Sequence, residues 1–400
     1  MSEAITIVTR HYAPEPTGSA PFMTDFAEWL ATAGHSVNVV TVRPGYPVGM
    51  AFPGFEAGER DESVENGVAV RRLPTMVPRR GGLLGRVIPE SAFFFRLLAG
   101  RLRGSYAPSP RVASLSPSIF AVAGALVLKA RGGRHMAIVH DIQSGLAGAL
   151  MRGGSLLAFF AGRLESAILN RVDHIVVLSD SMADHMRALG VRTPISVLPT
   201  PIDTKAIFPL ERLDTTPPTL MYSGNLGHKQ GLEQILAMAP LIAARAPQVR
   251  ILIRGQGSRE AALKAEAQRL GLGNVRFEGL VQQSDLNQSL SEGDVHLVPQ
   301  HEAGTNFAVP SKIYTIMAAG RPSILTARPD SAPWRLMEAT NACLCVPPND
   351  PEAFASAALE LLGDAGRRQA MGVAGRAYVC KNVDRDVVYP AMASILTSAG

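Results

Sequence analysis

Twice in this chain a strand runs into a glycine-containing turn and then a helix, and that repeated unit limits the fold more than any other feature. The clearer copy is TLMYSGNLGHKQG at 219–231. Leu220, Met221 and Tyr222 read as a buried strand, and Ser223, Gly224, Asn225 and Gly227 as a tight turn. From Gly231 onward, GLEQILAMAPLIAARA places apolar residues at helical spacing. The other copy opens the chain: a strand over 4–9, the loop HYAPEPTGSA, a helix over 21–33 stopped by Gly34, and a strand over 37–42. A glycine turn feeding a helix offers unpaired N–H groups and the positive end of a helix dipole, which together hold phosphate. Lys229 stands at that same end, where a cation opposes the dipole unless an anion lies between them. The alternative is a solvated lysine in an ordinary turn.

Strand-like and helical segments alternate along nearly all 400 residues, the mark of parallel sheets covered by helices on both faces. That length suits two domains of about 150–200 residues, and an apolar content of 46% supplies large cores. The expected architecture is α/β, with two Rossmann-like domains. The stretch 199–218 carries five prolines and no periodicity, and it reads as the linker. The expected domains are therefore 1–200 and 201–383, with a last helix within 384–400 packing back on the first.

Three cysteines, Cys343, Cys345 and Cys380, form no disulfide framework, which points to a reducing compartment. The two in ACLCV read as core residues. The chain enters a strand at once, without the pattern of a signal peptide, and no apolar run reaches about 18 residues. The expected location is cytoplasmic, peripheral on the inner membrane face.

The membrane enters through charge. Residues 71–135 hold twelve Lys or Arg against one acid, Glu90, a net +11 where the whole chain carries +5. Within it, LLGRVIPESAFFFRLLAGRLR at 83–103 mixes apolar and aromatic residues with Arg86, Arg96, Arg101 and Arg103. Those four arginines would face an anionic membrane surface, each contributing about 1 kcal/mol. The plainer reading is a basic solvated helix over a core. Nucleic acid is not expected as a partner, because no nucleic-acid-binding motif is present.

The segments VPSKIYTIMAAGRP, SGNLGHKQGL, RFEGLVQQSDLNQSLSEGDVHLVP, VVLSDSMADHMRALGV and the opening HYAPEPTGSAPFMTDFAEWLATAGHSVNVVT occur in an order that resembles the retaining family-four glycosyltransferases of the GT-B fold. The likeness runs through nearly the whole chain and is greatest to the bacterial subgroup that extends lipid-linked sugars for surface polysaccharides. It implies a nucleotide-diphosphate sugar, with a UDP-sugar expected, held mainly by the second domain, and a lipid-linked saccharide acceptor held mainly by the first. It also implies donor contacts from Gly18 and Ser19 in the first loop, from Gly224, Asn225, Lys229 and Gln230 in the second, and from Arg254 as a further cation. Asn306, Phe307, Ser311, Lys312 and Thr315 complete the donor set. His140 and Asp141, at the end of a strand, and Lys229 are the expected catalytic residues.

This sequence departs from the family in two places. Relatives carry an Arg directly after the first glycine of the 224–231 loop and a Lys directly before the second; Asn225 and Gln230 stand here, with Lys229 one residue early. Many relatives also carry two glutamates eight positions apart, where this chain has Phe307 and Thr315. A threonine hydroxyl still bonds a ribose, more weakly than a carboxylate does.

Asp384 and Asp386 form an Asp-x-Asp pair, but at a helix start the dipole already favours acids, so no metal and no cofactor is expected. The competing functions are a nucleotide-sugar epimerase, which needs no acceptor, and a non-catalytic membrane-associated protein, which binds no donor.

Overall fold

The computed structural model describes residues 3–16, 19–45, 51–74, 83–116, 119–140, 155–211, 217–301, 310–329 and 331–398, with side chains left out at 83–87, 155–161 and 283. The chain divides into two compact units. One comprises Met1–Pro199 with Tyr389–Gly400, the other Thr200–Val388.

In the first unit the strands are β1 (Ala4–Val8), β2 (Ser36–Val42), β3 (Glu62–Glu65), β4 (Val68–Leu73), β5 (Ser109–Ser116), β6 (Lys129–Val139), β7 (His174–Val177) and β8 (Ile195–Val197). They lie in the order β3-β4-β2-β1-β5-β6-β7-β8. All neighbours are parallel except the edge strand β3, which pairs antiparallel with β4. The second unit has β9 (Thr219–Ser223), β10 (Arg250–Arg254), β11 (Val275–Glu278), β12 (Val295–Val298), β13 (Ser323–Thr326) and β14 (Cys343–Val346). Their order is β11-β10-β9-β12-β13-β14, all parallel. This is the doubly wound order, and it reverses direction between β9 and β12, the point at which sheets of this kind take their ligands.

Strands buried on both faces need apolar runs rather than alternation. Accordingly β12 (VHLV) and β13 (SILT) are buried at every position. Leu220 and Tyr222 of β9 join Ile251 and Ile253 of β10 in one core with helix Glu233–Arg245.

Two expectations about boundaries change. Residues 200–211, read as linker, belong to the body of the second unit. Ile202 bridges Asp384, and Arg376 donates to the carbonyls of Thr204 and Ile207. The last helix, Arg385–Thr397, divides at Tyr389 rather than at 384. Arg385 and Asp386 pair with Asp203 and Lys205 in the second unit, whereas Tyr389 donates to Asp25 at 2.8 Å and lies against Phe26 and Trp29 in the first.

The basic stretch is less positive than its sequence suggests, because its acids come from elsewhere in the chain. Arg71 pairs with Glu62, buried Arg72 with Glu65, Arg111 with Glu3, and Lys129 with Asp173. Among the charges left outward are Arg131 on β6 and residues on helix Leu83–Leu102 and just past it. There Arg96 and Arg103 are exposed and Arg101 is half-buried, while the Arg86 side chain lies outside the described residues.

Candidate active site

Lys312 and the glycine turn, 88 residues apart in sequence, meet where the second sheet reverses. The turn follows β9. It is latched to the turn after β10 by Gly224 N–H donating to the Arg254 carbonyl (3.0 Å) and Leu226 N–H to the Gln256 carbonyl (2.9 Å). Only glycine allows this approach: a Cβ on Gly255 (φ +158°) would lie 1.9 Å from the Gly224 oxygen. Gly224 itself sits at φ +143°, and a Cβ there would stand 3.0 Å from the Lys312 ammonium.

Lys312 begins helix Lys312–Ala318, which follows β12 in the chain. The residue as a whole is half-buried, but its ammonium lies on Tyr222, 4.0 Å from the ring centroid, and donates to the phenol oxygen at 2.8 Å. Burial alone moves the ammonium below its ordinary range, to about 7. Tyr222, at the end of β9, is fully buried, and its hydroxyl donates to the Asn225 carbonyl at 2.6 Å. Sequence reasoning passed over Tyr222 as core. The signal was there, since a buried phenol at the last turn of a strand needs a partner for its hydroxyl.

The other expected donor residues fall in three groups. Thr315 is half-buried one turn after Lys312, on the same side of the helix, and Ser311 is exposed at its start. Lys229 and Gln230 lie in a 3-10 turn, His228–Gln230, because the α-helix starts only at Glu233. Lys229 is exposed there, and its carbonyl accepts from the His301 N–H. Arg254 requires a correction. Its guanidinium is buried and donates to Glu278, Glu292 and Ser289, so two carboxylates already neutralise it. Its part in the site is the backbone carbonyl that holds Gly224. Asn306 and Phe307 lie outside the described residues.

In the first unit, His140 directly follows β6, with its ring 4.7 Å from that of Phe22. Burial pushes it down to about 4, so it is neutral at pH 7. Ser19 stands at the cap position of helix Ala20–Thr32 without a side-chain cap bond. Gly18 and Asp141 lie outside the described residues. The Asp384 carboxylate accepts from Thr204 and from the Asp386 N–H, so a helix start accounts for the Asp-x-Asp pair.

Two doubly wound units, the second with a glycine turn and a lysine at its reversal point, define a protein of the GT-B fold. Sucrose-phosphate synthase from Thermosynechococcus elongatus shares that fold over 98% of both chains, with a TM-score of 0.77 at 18% identity. So does HepE from Anabaena, solved in complex with UDP-glucose, over 99% of both chains with a TM-score of 0.71 at 13% identity. Residues 17–201 match the family described as glycosyl transferase 4-like domain, and residues 217–364 the family described as glycosyl transferases group 1. A chain from Escherichia coli (strain K12), provisionally named colanic acid biosynthesis glycosyl transferase WcaI, is 30% identical over 94% of this chain and 96% of its own. This chain belongs to the group 1 glycosyl transferases.

Proposed function

We propose that this glycosyltransferase moves a hexose from a nucleotide-diphosphate sugar, with UDP as carrier, to a saccharide on polyprenyl diphosphate at the inner membrane face. The observation that carries the donor half is the Lys312 ammonium, held over Gly224 with burial rather than a carboxylate setting its charge. An anion placed there restores what burial removed. The HepE complex with UDP-glucose supports a UDP-sugar, and the name of the Escherichia coli relative supports a surface-polysaccharide acceptor.

As the bond from the anomeric carbon to the phosphate oxygen breaks, negative charge grows on the leaving diphosphate. Preorganised cations and N–H donors stabilise it in place of a metal. The acceptor oxygen bonds to the anomeric carbon from the same face, and its proton passes to the departing phosphate, giving retention without a carboxylate nucleophile. Neutral His140 suits hydrogen bonding to a sugar hydroxyl better than holding phosphate. On helix Leu83–Leu102, Ile88, Phe95 and Leu102 recur every seven residues, at 50%, 62% and 79% exposure. With Arg96 and Arg103 beside them, that face supports an anionic lipid surface. Among the described residues no helix is long and apolar enough to cross a membrane.

The test is thermal stabilisation by UDP-, GDP- and dTDP-sugars, followed by transfer to a lipid-diphosphate saccharide with and without EDTA. A UDP-sugar should stabilise the protein and be consumed only with acceptor, at a rate EDTA leaves unchanged. Turnover of donor without acceptor would instead mark an epimerase. Absence of any donor effect would mark a non-catalytic protein.

A further inference from the structure

We propose that Tyr222 is a positioning residue for sugar transfer: it fixes where the Lys312 ammonium stands and ties that position to the glycine turn beneath it. The inference rests on the reading that Lys312 meets the donor diphosphate, and it adds why the lysine is aimed there before donor arrives.

A phenol has one hydrogen to donate and lone pairs to accept with. Tyr222 gives that hydrogen to the Asn225 carbonyl at 2.6 Å, which fixes the rotation of its hydroxyl. The free lone pair then faces Lys312, whose ammonium donates to it at 2.8 Å while lying 4.0 Å from the ring centroid. One side chain thus holds the turn on one side and the cation on the other. A lysine on a flexible four-carbon stem has many rotamers to lose. Ordering it during folding removes that loss from the binding and transfer steps.

Burial lowers the Lys312 ammonium, and among the described residues the charged groups on the elements packed around it are engaged elsewhere. On β10, Arg254 is turned into Glu278 and Glu292. On β12, His296 bonds the Leu290 carbonyl. On helix Ala365–Asn382, which packs against the lysine's helix, Arg376 is bonded to the carbonyls of Ile207, Ala318 and Thr204. On the lysine's own helix, Tyr314 is the further titratable group, and burial raises it. The phenol oxygen of Tyr222 is therefore the group that favours the charged lysine before donor binds.

Tyr222→Phe keeps the ring and removes only the oxygen. In the wild type, kcat/KM for donor should fall as pH rises through about 7, where Lys312 loses its proton. In Tyr222→Phe that falling limb should move to lower pH. Its kcat at the optimum should drop by roughly tenfold to a hundredfold, the scale of a reacting group misplaced by about an ångström. Lys312→Arg, charged throughout, should show no falling limb near pH 7 with either residue at 222. Should Tyr222→Phe fold poorly, 3-fluorotyrosine at position 222 is a weaker acceptor of nearly the same shape and should shift the limb the same way. An unshifted limb with wild-type kcat in either variant overturns the proposal and leaves Tyr222 as core filling. Wild-type kinetics in Lys312→Ala overturns the diphosphate assignment itself, and the role of Tyr222 with it.

Discussion

Replacing Arg254 by Met should destabilise the second unit while leaving donor affinity nearly intact. The side chain is 6% exposed, and its guanidinium donates to both oxygens of Glu292, to Glu278 and to the Ser289 hydroxyl. Met fills the volume but makes none of these bonds. Breaking a fully buried ion pair costs about 3–5 kcal/mol. Here the stranded carboxylates are 44% and 34% exposed, so water recovers part of that. Ser289, 2% exposed, loses its partner outright, at about 1–3 kcal/mol. The balance is roughly 2–4 kcal/mol. For a unit of this size each kcal/mol moves Tm by about 2–4 °C, so a fall of roughly 5–15 °C is expected. Calorimetric unfolding gives the shift, and titration calorimetry with UDP gives Kd on the folded variant. UDP binding weakened a hundredfold with an unchanged Tm would refute the reasoning and return Arg254 to the diphosphate.

Other expectations follow from the same geometry. Gly255→Ala should destabilise by more than about 3 kcal/mol, because its Cβ would lie 1.9 Å from the Gly224 oxygen at a φ of +158°. Gly273→Ala, with open space around it, is the control in urea titrations and should be near neutral. Burial depresses His135 to about 3 and both His140 and His296 to about 4, below their ordinary unfolded value. The unfolded chain therefore binds more protons, so stability is full above about pH 6.5 and is lost as pH falls towards 4, by up to about 1.4 kcal/mol per pH unit for each histidine. His296→Gln should lower the slope of unfolding free energy against pH by about one proton; an unchanged slope would contradict the burial argument. Changing Arg86, Arg96, Arg101 and Arg103 together to Gln should weaken binding to anionic vesicles by up to about a thousandfold, and added salt should mimic the change. Wild-type protein that ignores such vesicles would remove the lipid reading of helix Leu83–Leu102.

By itself the sequence determined the class of fold and marked the turn at 219–231 as the candidate for phosphate. Both are local: strand, turn and helix propensities sit within a few residues, and the pattern at 219–231 is complete without the rest of the chain. The strands read over 4–9 and 37–42 appear as Ala4–Val8 and Ser36–Val42. Helix Ile119–Leu128, almost wholly apolar, gave no helical period to read, and the short edge strand β3 (ESVE) is too polar to stand out. What only tertiary structure decided is which charges are available. Arg254 looked like a free cation because Glu278 and Glu292 lie 24 and 38 residues away. The basic stretch looked more positive than it is for the same reason. Lys312 meets Tyr222, 90 residues earlier, and no periodicity links the two. Charge pairing and burial act through space, so a chain read along its length shows the groups but not which of them are left for a ligand.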